Sequence, residues 1–458
     1  MNLIVALLVT ALCVTVCSVL LVLLLMLRGV RFSLPAISAS AIWPSQVGDP
    51  TLGFQENADY NRQLQKFVRR QLSEGVSAAC LLESIADVAA LIRKGQRVPG
   101  PDEVEEEVSD LLPGLVSTDF SMLRARGCVG ILDDSGVTRI DLVEHPPDEV
   151  QPDAQLCTWK TMTKAKLIKE GKVITAVAER IALLTTSCCP SPFILRYLGC
   201  CQTPRYLRFR MEGFGASLHH IYQRDRLYGS EPHARYYMAS VVCALQHLHN
   251  LHIVLRCVKP EDCVLTFQGK LQLFDFHFSK IIVNKTWTTC GTPEYFAPEV
   301  VGMAGHSFDY DWWIVGIMMY ELFAEASPFA EPNMMETYRR ITKCQYTFPK
   351  SVPTSARNVI RKLLVKNPSK RAPGGAKSFA KHSFFRPVSA PYGSWDCLRK
   401  TEPPFTPSFT DGPFSNIQKA SDEELAECWG AQTGSEDPPI VRAEWEQFGP
   451  IGPCDEFP

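Results

Sequence analysis

The sequence predicts a fold of the α+β class, and three stretches of the chain carry this prediction. The first runs from His252 to Phe276 and contains Leu255-Arg256-Cys257, followed by Val258-Lys259-Pro260-Glu261-Asp262. The second runs from Thr286 to Glu299, and the third is Asp311-Trp312-Trp313. Motifs that follow one another in a fixed order define a fold more specifically than a single glycine pattern does.

These stretches resemble the catalytic loop, the activation segment and a large-lobe helix of eukaryotic protein kinases, in particular the AGC type that includes the cyclic-nucleotide-dependent kinases. Ser230-Glu231-Pro232-His233-Ala234-Arg235-Tyr236-Tyr237 is similar to another helix of the same group. The resemblance covers roughly residues 119–388. It implies a bilobal protein-kinase fold, in which a β-rich small lobe precedes a helical large lobe.

Composition excludes some classes of partner. The chain has 458 residues, is 46% hydrophobic and carries a formal net charge of -2, so no bulk charge indicates a nucleic-acid partner. The 17 cysteines lack the spacing of a zinc site, and four of them form the vicinal pairs Cys188-Cys189 and Cys200-Cys201. We interpret the cysteines as reduced, mostly buried thiols, with the disulfide framework of a secreted protein as the alternative.

The stretch from Leu3 to Leu27 has no charged residue and consists mainly of Leu and Val, and as a helix it is long enough to cross a bilayer. The first positive side chains are Arg28 and Arg31, which follow the stretch. By the positive-inside bias they predict a single-pass transmembrane anchor over residues 1–31, with the kinase-like region facing the cytosol. Ala39-Ser40-Ala41 keeps a cleaved signal peptide open as the alternative.

Two regions flank the kinase-like part. In residues 32–118, apolar residues at helical intervals predict two short amphipathic helices between Asn61 and Leu91. These helices pack on each other or on the kinase lobe, or they bind a partner. Residues 389–458 are rich in proline, and Pro404 to Phe409 resembles the C-terminal tail of AGC kinases, which we expect to be partly disordered.

The small lobe of the family holds ATP, and part of that equipment is present. Lys160 aligns with the lysine that contacts phosphate, and Glu179, 19 residues later on a helical pattern, aligns with its partner carboxylate. Glu212 and Gly213 fit the hinge, whose backbone meets adenine. The phosphate-covering loop, placed at Leu132 to Thr138, is degenerate, because side chains stand where bare backbone amides approach phosphate.

The catalytic loop departs from the family at its central residue. Cys257 replaces the aspartate that accepts the proton of the substrate hydroxyl, and a thiol with a pKa of about 8.5 is mostly protonated at neutral pH. Lys259 follows in the same loop and belongs to the same predicted catalytic set. Asp275 retains the magnesium-ligating aspartate but is followed by Phe-His instead of Phe-Gly, and Asp262 replaces the second ligand, an asparagine. Cys257 is either an inert, half-buried thiol or a residue with a redox or alternative-base role.

The regulatory residues of the family are retained. Thr288 lies 13 residues after Asp275, where the resemblance places the threonine that is phosphorylated in the activation segment. Arg256 and Lys280 match the two residues that bind its phosphate. Three residues with structural roles in the large lobe are also present: Glu299, Arg371 and Asp311.

We predict a membrane-anchored, catalytically impaired Ser/Thr kinase-like protein, a pseudokinase, that regulates or scaffolds protein partners in signalling. It binds ATP and Mg²⁺ weakly or not at all. Loss of the catalytic base alone removes about 10²–10⁴ of rate. One alternative is an active but slow kinase that uses Lys160, Glu179, Asp275 and Asp262, and the other is a lumenal kinase-fold binding module. The sequence does not specify the oligomeric state.

Overall fold

The computed structural model describes the greater part of the kinase-like region and a few residues on either side of it. These residues are 61–68, 85, 88–90, 94, 127–134, 138–145, 155–202, 206–212, 215–266, 268–389 and 394–406. The predicted anchor and most of the predicted tail lie outside them. Before the kinase-like region, residues 61–68 form a helix, α1.

Five antiparallel strands form the sheet of the small lobe, in the order β1-β2-β3-β5-β4. The strands are β1 (Gly127–Asp134), β2 (Thr138–His145), β3 (Gln155–Thr163), β4 (Tyr197–Gln202) and β5 (Tyr206–Glu212). On β3, Lys160 pairs with Ile140 of β2 and with Phe209 of β5. The lysine therefore lies on the central strand of the sheet, where neighbouring strands on both sides fix its backbone.

Two helices follow β3, namely α2 (Lys164–Lys169) and α3 (Val173–Cys188). Near the end of α3, Thr185 and Thr186 are β-branched, which is unfavourable in a helix, but their hydroxyl groups donate to Ile181 O at 2.7 Å and Leu183 O at 2.9 Å. These bonds satisfy buried hydroxyl groups without breaking the helix. α3 packs against β4 of the small lobe and near the start of the activation segment, so it couples the two lobes.

The large lobe is built around one helix. Its helices are α4 (Leu218–Arg224), α5 (Glu231–Asn250), α6 (Pro298–Val301), α7 (Phe308–Ala324), α8 (Met334–Lys343), α9 (Thr354–Leu363) and α10 (Ala376–Ala380). α7 is buried on nearly all sides and packs between α5 and α9. At Gly316 a Cβ atom would lie 2.8 Å from Leu363 Cβ, so the close approach of α7 and α9 requires glycine.

Short strands connect the helices and carry the catalytic loop. They are β6 (Ala216–Ser217), β7 (Ile253–Val254), β8 (Cys263–Leu265), β9 (Leu271–Leu273) and β10 (Lys280–Ile281). β6, β8 and β9 form one sheet, and β7 pairs with β10. The loop between β7 and β8 and the segment between β9 and β10 therefore emerge side by side, which brings Cys257 and Asp262 close to Asp275.

A buried ion pair ties the end of the activation segment to the C-terminal part of the large lobe. Both terminal nitrogens of Arg371 lie 2.6 Å from the two carboxylate oxygens of Glu299, and the Arg371 side chain is fully buried. The guanidinium also donates to Asp309 O and Val365 O and lies 5.0 Å from the ring centroid of Trp313. Such a bidentate pair specifies one geometry.

The predicted membrane location is corrected. Among the residues that the structure describes, no helix is both long enough and apolar enough to cross a bilayer. α5 has 20 residues but carries Glu231 and Arg235, whereas α7 is more apolar but has 17 residues and carries Asp309 and Asp311. The stretch from Leu3 to Leu27, on which the prediction rested, lies outside the described residues. The prediction of a single-pass location with cytosolic orientation is wrong on this finding.

Replacing Arg371 with Met should destabilise the fold by about 3–5 kcal/mol, because it leaves the Glu299 carboxylate buried without a partner. The double variant Arg371→Met/Glu299→Leu should recover part of this loss, since it removes both charges. Urea denaturation of the full chain measures both effects. The control is Arg339→Ala, which removes the exposed pair with Glu336 and should leave the denaturation midpoint unchanged. Equal midpoints for Arg371→Met and Arg339→Ala would contradict the structural role of the buried pair.

Candidate active site

Lys160 is the buried cation of the site. Its Nζ lies 2.6 Å from Glu179 Oε1 on α3 and 2.8 Å from Asp275 Oδ1 in the large lobe, and only 2% of the side chain is exposed. Burial alone would lower the pKa of Lys160, but the carboxylates of Asp275 and Glu179 outweigh burial and raise it. The lysine stays charged, and its pairing with Glu179 places α3 against β3.

The Asp275 carboxylate has protein donors on both oxygens. Oδ1 accepts from Lys160 Nζ at 2.8 Å and from the His277 backbone N–H at 3.1 Å, and Oδ2 lies 2.8 Å from His277 Nδ1. Burial alone would raise the pKa of Asp275, but Lys160 and His277 hold it well below its usual value. His277 stands where the family has a glycine. Its backbone φ is not positive, so the side chain causes no backbone strain at this position.

Cys257 is buried and faces a carboxylate. Only 4% of the residue is exposed, and its Sγ lies 3.8 Å from Asp262 Oδ2, to which the thiol donates. Burial raises the pKa of the Cys257 thiol well above its usual value, and the charges of Asp262 and Asp275 raise it further. At neutral pH the side chain is therefore a protonated thiol that donates a hydrogen bond and accepts no proton.

Asp262 and Lys259 complete this part of the site. Burial, together with the charge of Asp275, raises the pKa of Asp262 to about 7. Burial lowers the pKa of Lys259, but the neighbouring Asp262 and Glu261 carboxylates outweigh it and raise that pKa above its usual value. The catalytic loop thus contains an acid that titrates near neutral pH and a cation that stays charged.

Asp311 holds the backbone of the catalytic loop in place. Its carboxylate is fully buried and accepts from the backbone N–H groups of Leu255 at 3.0 Å and Arg256 at 2.8 Å. His249 Nε2 lies 2.8 Å from the same carboxylate. Arg256 has a φ of 64°, a conformation that costs a non-glycine residue free energy and that these bonds stabilise. The loop therefore keeps its shape although its central residue is a cysteine.

A cationic pocket lies under the activation segment. Arg256 donates to Phe278 O at 2.7 Å and to Thr288 O at 3.2 Å, while Lys280 Nζ donates to Thr286 Oγ1 at 3.0 Å. The Thr288 side chain itself is exposed. Burial, assisted by the charge of Arg256, lowers the pKa of Lys280 to about 8. Two cations thus lie close together, one bonded to the Thr288 carbonyl oxygen and the other to the Thr286 hydroxyl group.

The predicted hinge is only partly described. Glu212 ends β5, and its backbone N–H donates to Arg196 O at 2.7 Å, so this amide is already engaged. Its carboxylate pairs with the Arg196 side chain at the surface. Gly213 lies outside the described residues. In the predicted phosphate-covering loop, Asp134 of β1 lies opposite Arg139 of β2 in the register of the antiparallel strand pair. Residues 135–137, which connect the two strands, are not among the residues that the structure describes.

The structure brings together most of the predicted site residues. Lys160, Glu179 and Asp275 form one cluster, Cys257 and Asp262 form a second beside it, and Arg256, Lys280 and Thr288 form the third. The contact between His277 and Asp275 was not predicted from the sequence, where His277 was considered only as the replacement of a glycine. A histidine two residues after a carboxylate is close enough for such a contact, so the spacing was a usable signal.

The two carboxylates that the family uses to bind magnesium correspond to Asp275 and Asp262. Both Asp275 oxygens already accept hydrogen bonds from protein groups. Asp262, with a pKa of about 7, has to be ionised before it can bind a hard cation. Among the described side chains no group of three or more His, Cys, Asp or Glu is placed to hold a metal ion. Asp275 and Asp262 would hold the ion, in competition with the donors Lys160 and His277 for the Asp275 oxygens.

Replacing Asp262 with Asn should stabilise the protein increasingly as pH rises. The carboxyl group has a pKa of about 7 in the folded protein against about 4 when unfolded. Its burial therefore costs little at pH 4 and up to about 4 kcal/mol above pH 7. The melting temperature of Asp262→Asn, relative to the wild type, should rise from pH 5 to pH 8. The exposed Glu402 provides the control Glu402→Gln, which should show no such trend. A constant difference across this range would contradict the assigned ionisation.

Sequence comparison relates the chain to known proteins. The protein kinase domain family matches residues 150–385, more than half of the chain. The cAMP-dependent protein kinase catalytic subunit PRKX of Mus musculus is 30% identical over 351 residues, which are 75% of this chain and 95% of that protein. The cAMP-dependent protein kinase type 3 of Saccharomyces cerevisiae is 31% identical over 307 residues, 66% of this chain and 72% of that protein.

A third relative extends the comparison beyond the cAMP-dependent enzymes. The serine/threonine-protein kinase gad8 of Schizosaccharomyces pombe is 34% identical over 263 residues, 56% of this chain and 44% of that protein. All three relatives are Ser/Thr kinases of the AGC type. With the two lobes, the buried Lys160–Glu179 pair and the catalytic-loop position all in the order that the family requires, the chain belongs to the protein kinase family.

Proposed function

We propose that this protein is a catalytically impaired member of the AGC-type Ser/Thr kinases and that it acts as a regulator through the conformation of its kinase domain. One observation carries the proposal. Cys257 occupies the position of the catalytic base, and it is a buried, protonated thiol that donates to Asp262. A group that already donates a hydrogen bond and has a raised pKa cannot take the proton of a substrate hydroxyl at neutral pH.

The magnitude of the defect supports a regulatory role. Removal of a general base costs about 10²–10⁴ in rate, and active kinases turn over roughly 1–100 times per second. The occupied Asp275 carboxylate affects a separate requirement, which is the stabilisation of charge on the transferred phosphoryl group. Two independent losses multiply, so the remaining turnover is too slow to propagate a signal.

The structural contacts that the chain retains support the regulatory part of the proposal. The Lys160–Glu179 pair, the Asp311 brace and the Arg371–Glu299 pair are all formed, and none of them requires phosphoryl transfer. A kinase domain that keeps these contacts presents a defined surface to a protein partner. We infer weak nucleotide binding at Lys160, because the ion pair of 2.8 Å with Asp275 competes with phosphate for the ammonium group.

A second candidate is a slow Ser/Thr kinase that uses Asp262 as its base. It is favoured by the pKa of Asp262, about 7, which is suited to accepting a proton near neutral pH. The Asp262 carboxylate also lies 3.8 Å from Cys257 Sγ, beside the position of the family base. In this candidate Asp262→Asn abolishes transfer, whereas Cys257→Ala does not.

Purified full-length protein should incorporate no phosphate from labelled Mg-ATP into basic Ser/Thr peptides above the level of Lys160→Met. Cys257→Asp alone should not restore transfer, because Asp275 remains bound to His277 and Lys160. The Lys160→Met variant excludes a contaminating kinase. Phosphate incorporation by the wild type that is absent from Lys160→Met would overturn the proposal. If Asp262→Asn also lacked this incorporation, the slow kinase would be established. Calorimetric titration with ATP should show weak binding both in the presence of Mg²⁺ and in the presence of a chelator.

Phosphorylation of Thr288 by another kinase should stabilise the protein. The phosphate gains charge-assisted hydrogen bonds from Arg256 and Lys280, and it offsets the repulsion by Arg256 that adds to burial in lowering the Lys280 pKa. A gain of about 2 kcal/mol corresponds to a rise of roughly 4 °C in melting temperature. Thr288→Ala should show no rise after treatment with the phosphorylating kinase. The adjacent exposed residue provides the control Thr289→Ala, which should respond like the wild type. Equal melting temperatures before and after stoichiometric phosphorylation would contradict this role.

A further inference from the structure

The helix α1, over residues 61–68, lies against the activation segment. Its buried residues Asn61, Leu64 and Val68 share one face, with Gln65 and Phe67 partly buried at the margins of that face. The buried apolar residues belong to the same contiguous core as the kinase lobes. An amphipathic helix outside the family's kinase domain is therefore part of the packed structure.

Side-chain amides of α1 bind the main chain of the activation segment. Asn61 Nδ2 donates to Lys285 O at 2.7 Å, and Asn61 Oδ1 accepts from Val283 N–H at 2.7 Å. One helical turn later, Gln65 Nε2 donates to Ile281 O at 2.9 Å. A buried asparagine is stable only when its amide is satisfied, and here the amide is satisfied by the backbone it contacts.

The contact pattern is that of a strand edge. In an extended chain, alternate residues direct their backbone groups to opposite sides. Ile281, Val283 and Lys285 bond to α1, whereas the intervening Ile282 donates its N–H to His252 O at 2.9 Å, on the side of the catalytic loop. The distance between residues four apart on a helix, about 6 Å, matches the distance between residues two apart on a strand, about 6.6 Å. The spacing of Asn61 and Gln65 therefore fits this edge.

The contacted stretch leads directly to the regulatory threonine. Thr286 exchanges two backbone hydrogen bonds of 2.9 Å with His306, and Lys280 donates to Thr286 Oγ1. Residues 281–286 are thus held on both edges by contacts that do not involve the Thr288 side chain. The phosphate-binding cations Arg256 and Lys280 contribute to this order through neutral acceptors only.

We propose that the outer edge of residues 281–285 is a docking site for an amide-bearing amphipathic helix, and that α1 of the same chain occupies it and orders the base of the activation segment through contacts that do not involve Thr288. The site recognises the main chain, since all three of its bonds go to backbone atoms. Release of α1 exposes that edge. This inference is independent of whether the protein transfers phosphate.

Hydrogen exchange of the full chain tests the proposal. Asn61→Ala should accelerate exchange of the Val283 amide roughly tenfold, as expected for the loss of a buried hydrogen bond, and should leave the amides of α7 unchanged. Gln63, exposed on the opposite face of α1, provides the matched control Gln63→Ala, which should exchange like the wild type. Thr288→Ala should also leave Val283 protected. Unchanged Val283 exchange in Asn61→Ala, or equal acceleration in Thr288→Ala, would overturn the proposal.

A second measurement covers the case in which Asn61→Ala loses its fold and α7 exchanges as well. Gln65→Ala removes a single bond at a partly exposed position, so the domain should remain folded. Limited trypsin digestion reports on the same segment, because cleavage after Lys285 requires the backbone to leave the edge of α1. Gln65→Ala should be cut at Lys285 several-fold faster than the wild type and Gln63→Ala. Equal cleavage rates with an intact fold would overturn the proposal.

Discussion

The ammonium group of Lys160 connects three parts of the protein that are distant in sequence. It lies on the central strand of the small-lobe sheet and pairs with Glu179 on α3 and with Asp275, which follows β9 in the large lobe. A buried charge that loses its partner destabilises a protein by several kcal/mol, about 3–5 for one broken pair. Displacing the sheet, the helix or the large lobe separates such a pair. The relative placement of the lobes, and with it the geometry of the whole site, depends on this cation.

The same electrostatics explain how the catalytic loop accommodates a cysteine. Asp311 positions the catalytic loop through the backbone N–H groups of Leu255 and Arg256, and these bonds do not involve the side chain at position 257. Cys257 therefore replaces a carboxylate at little structural cost, because its thiol is compatible with the buried, negatively charged surroundings that raise its pKa. An aspartate there would add a further negative charge beside Asp262 and Asp275.

The activation segment is held by several independent contacts. Its beginning is fixed by β7 and β10 and by α1, its middle by Thr286 with His306, and its end by Glu299 with Arg371. In most signalling kinases, phosphorylation orders this segment. Here the contacts described for this segment are made by groups other than the Thr288 side chain. Such a segment suits a protein that acts through its shape.

The sequence by itself determined the fold family. Motif order and spacing also predicted Lys160, Glu179, Asp275, Arg256 and Thr288 as site residues, because phosphoryl transfer and its control require particular residue types at particular intervals. The roles assigned to these residues stay predictions. The membrane location inferred from Leu3 to Leu27 was not upheld, since no helix among the residues that the structure describes is long and apolar enough to cross a bilayer.

Only the tertiary structure decided the ionisation and the partners of these residues. That Asp262 titrates near pH 7, that Cys257 donates to it, and that His277 takes one oxygen of Asp275 all depend on burial and on distances between residues brought together by folding. The docking of Asn61 on Val283 and Lys285 joins positions more than 200 residues apart. A helical periodicity predicts a buried face, but it contains no information about which backbone that face will meet.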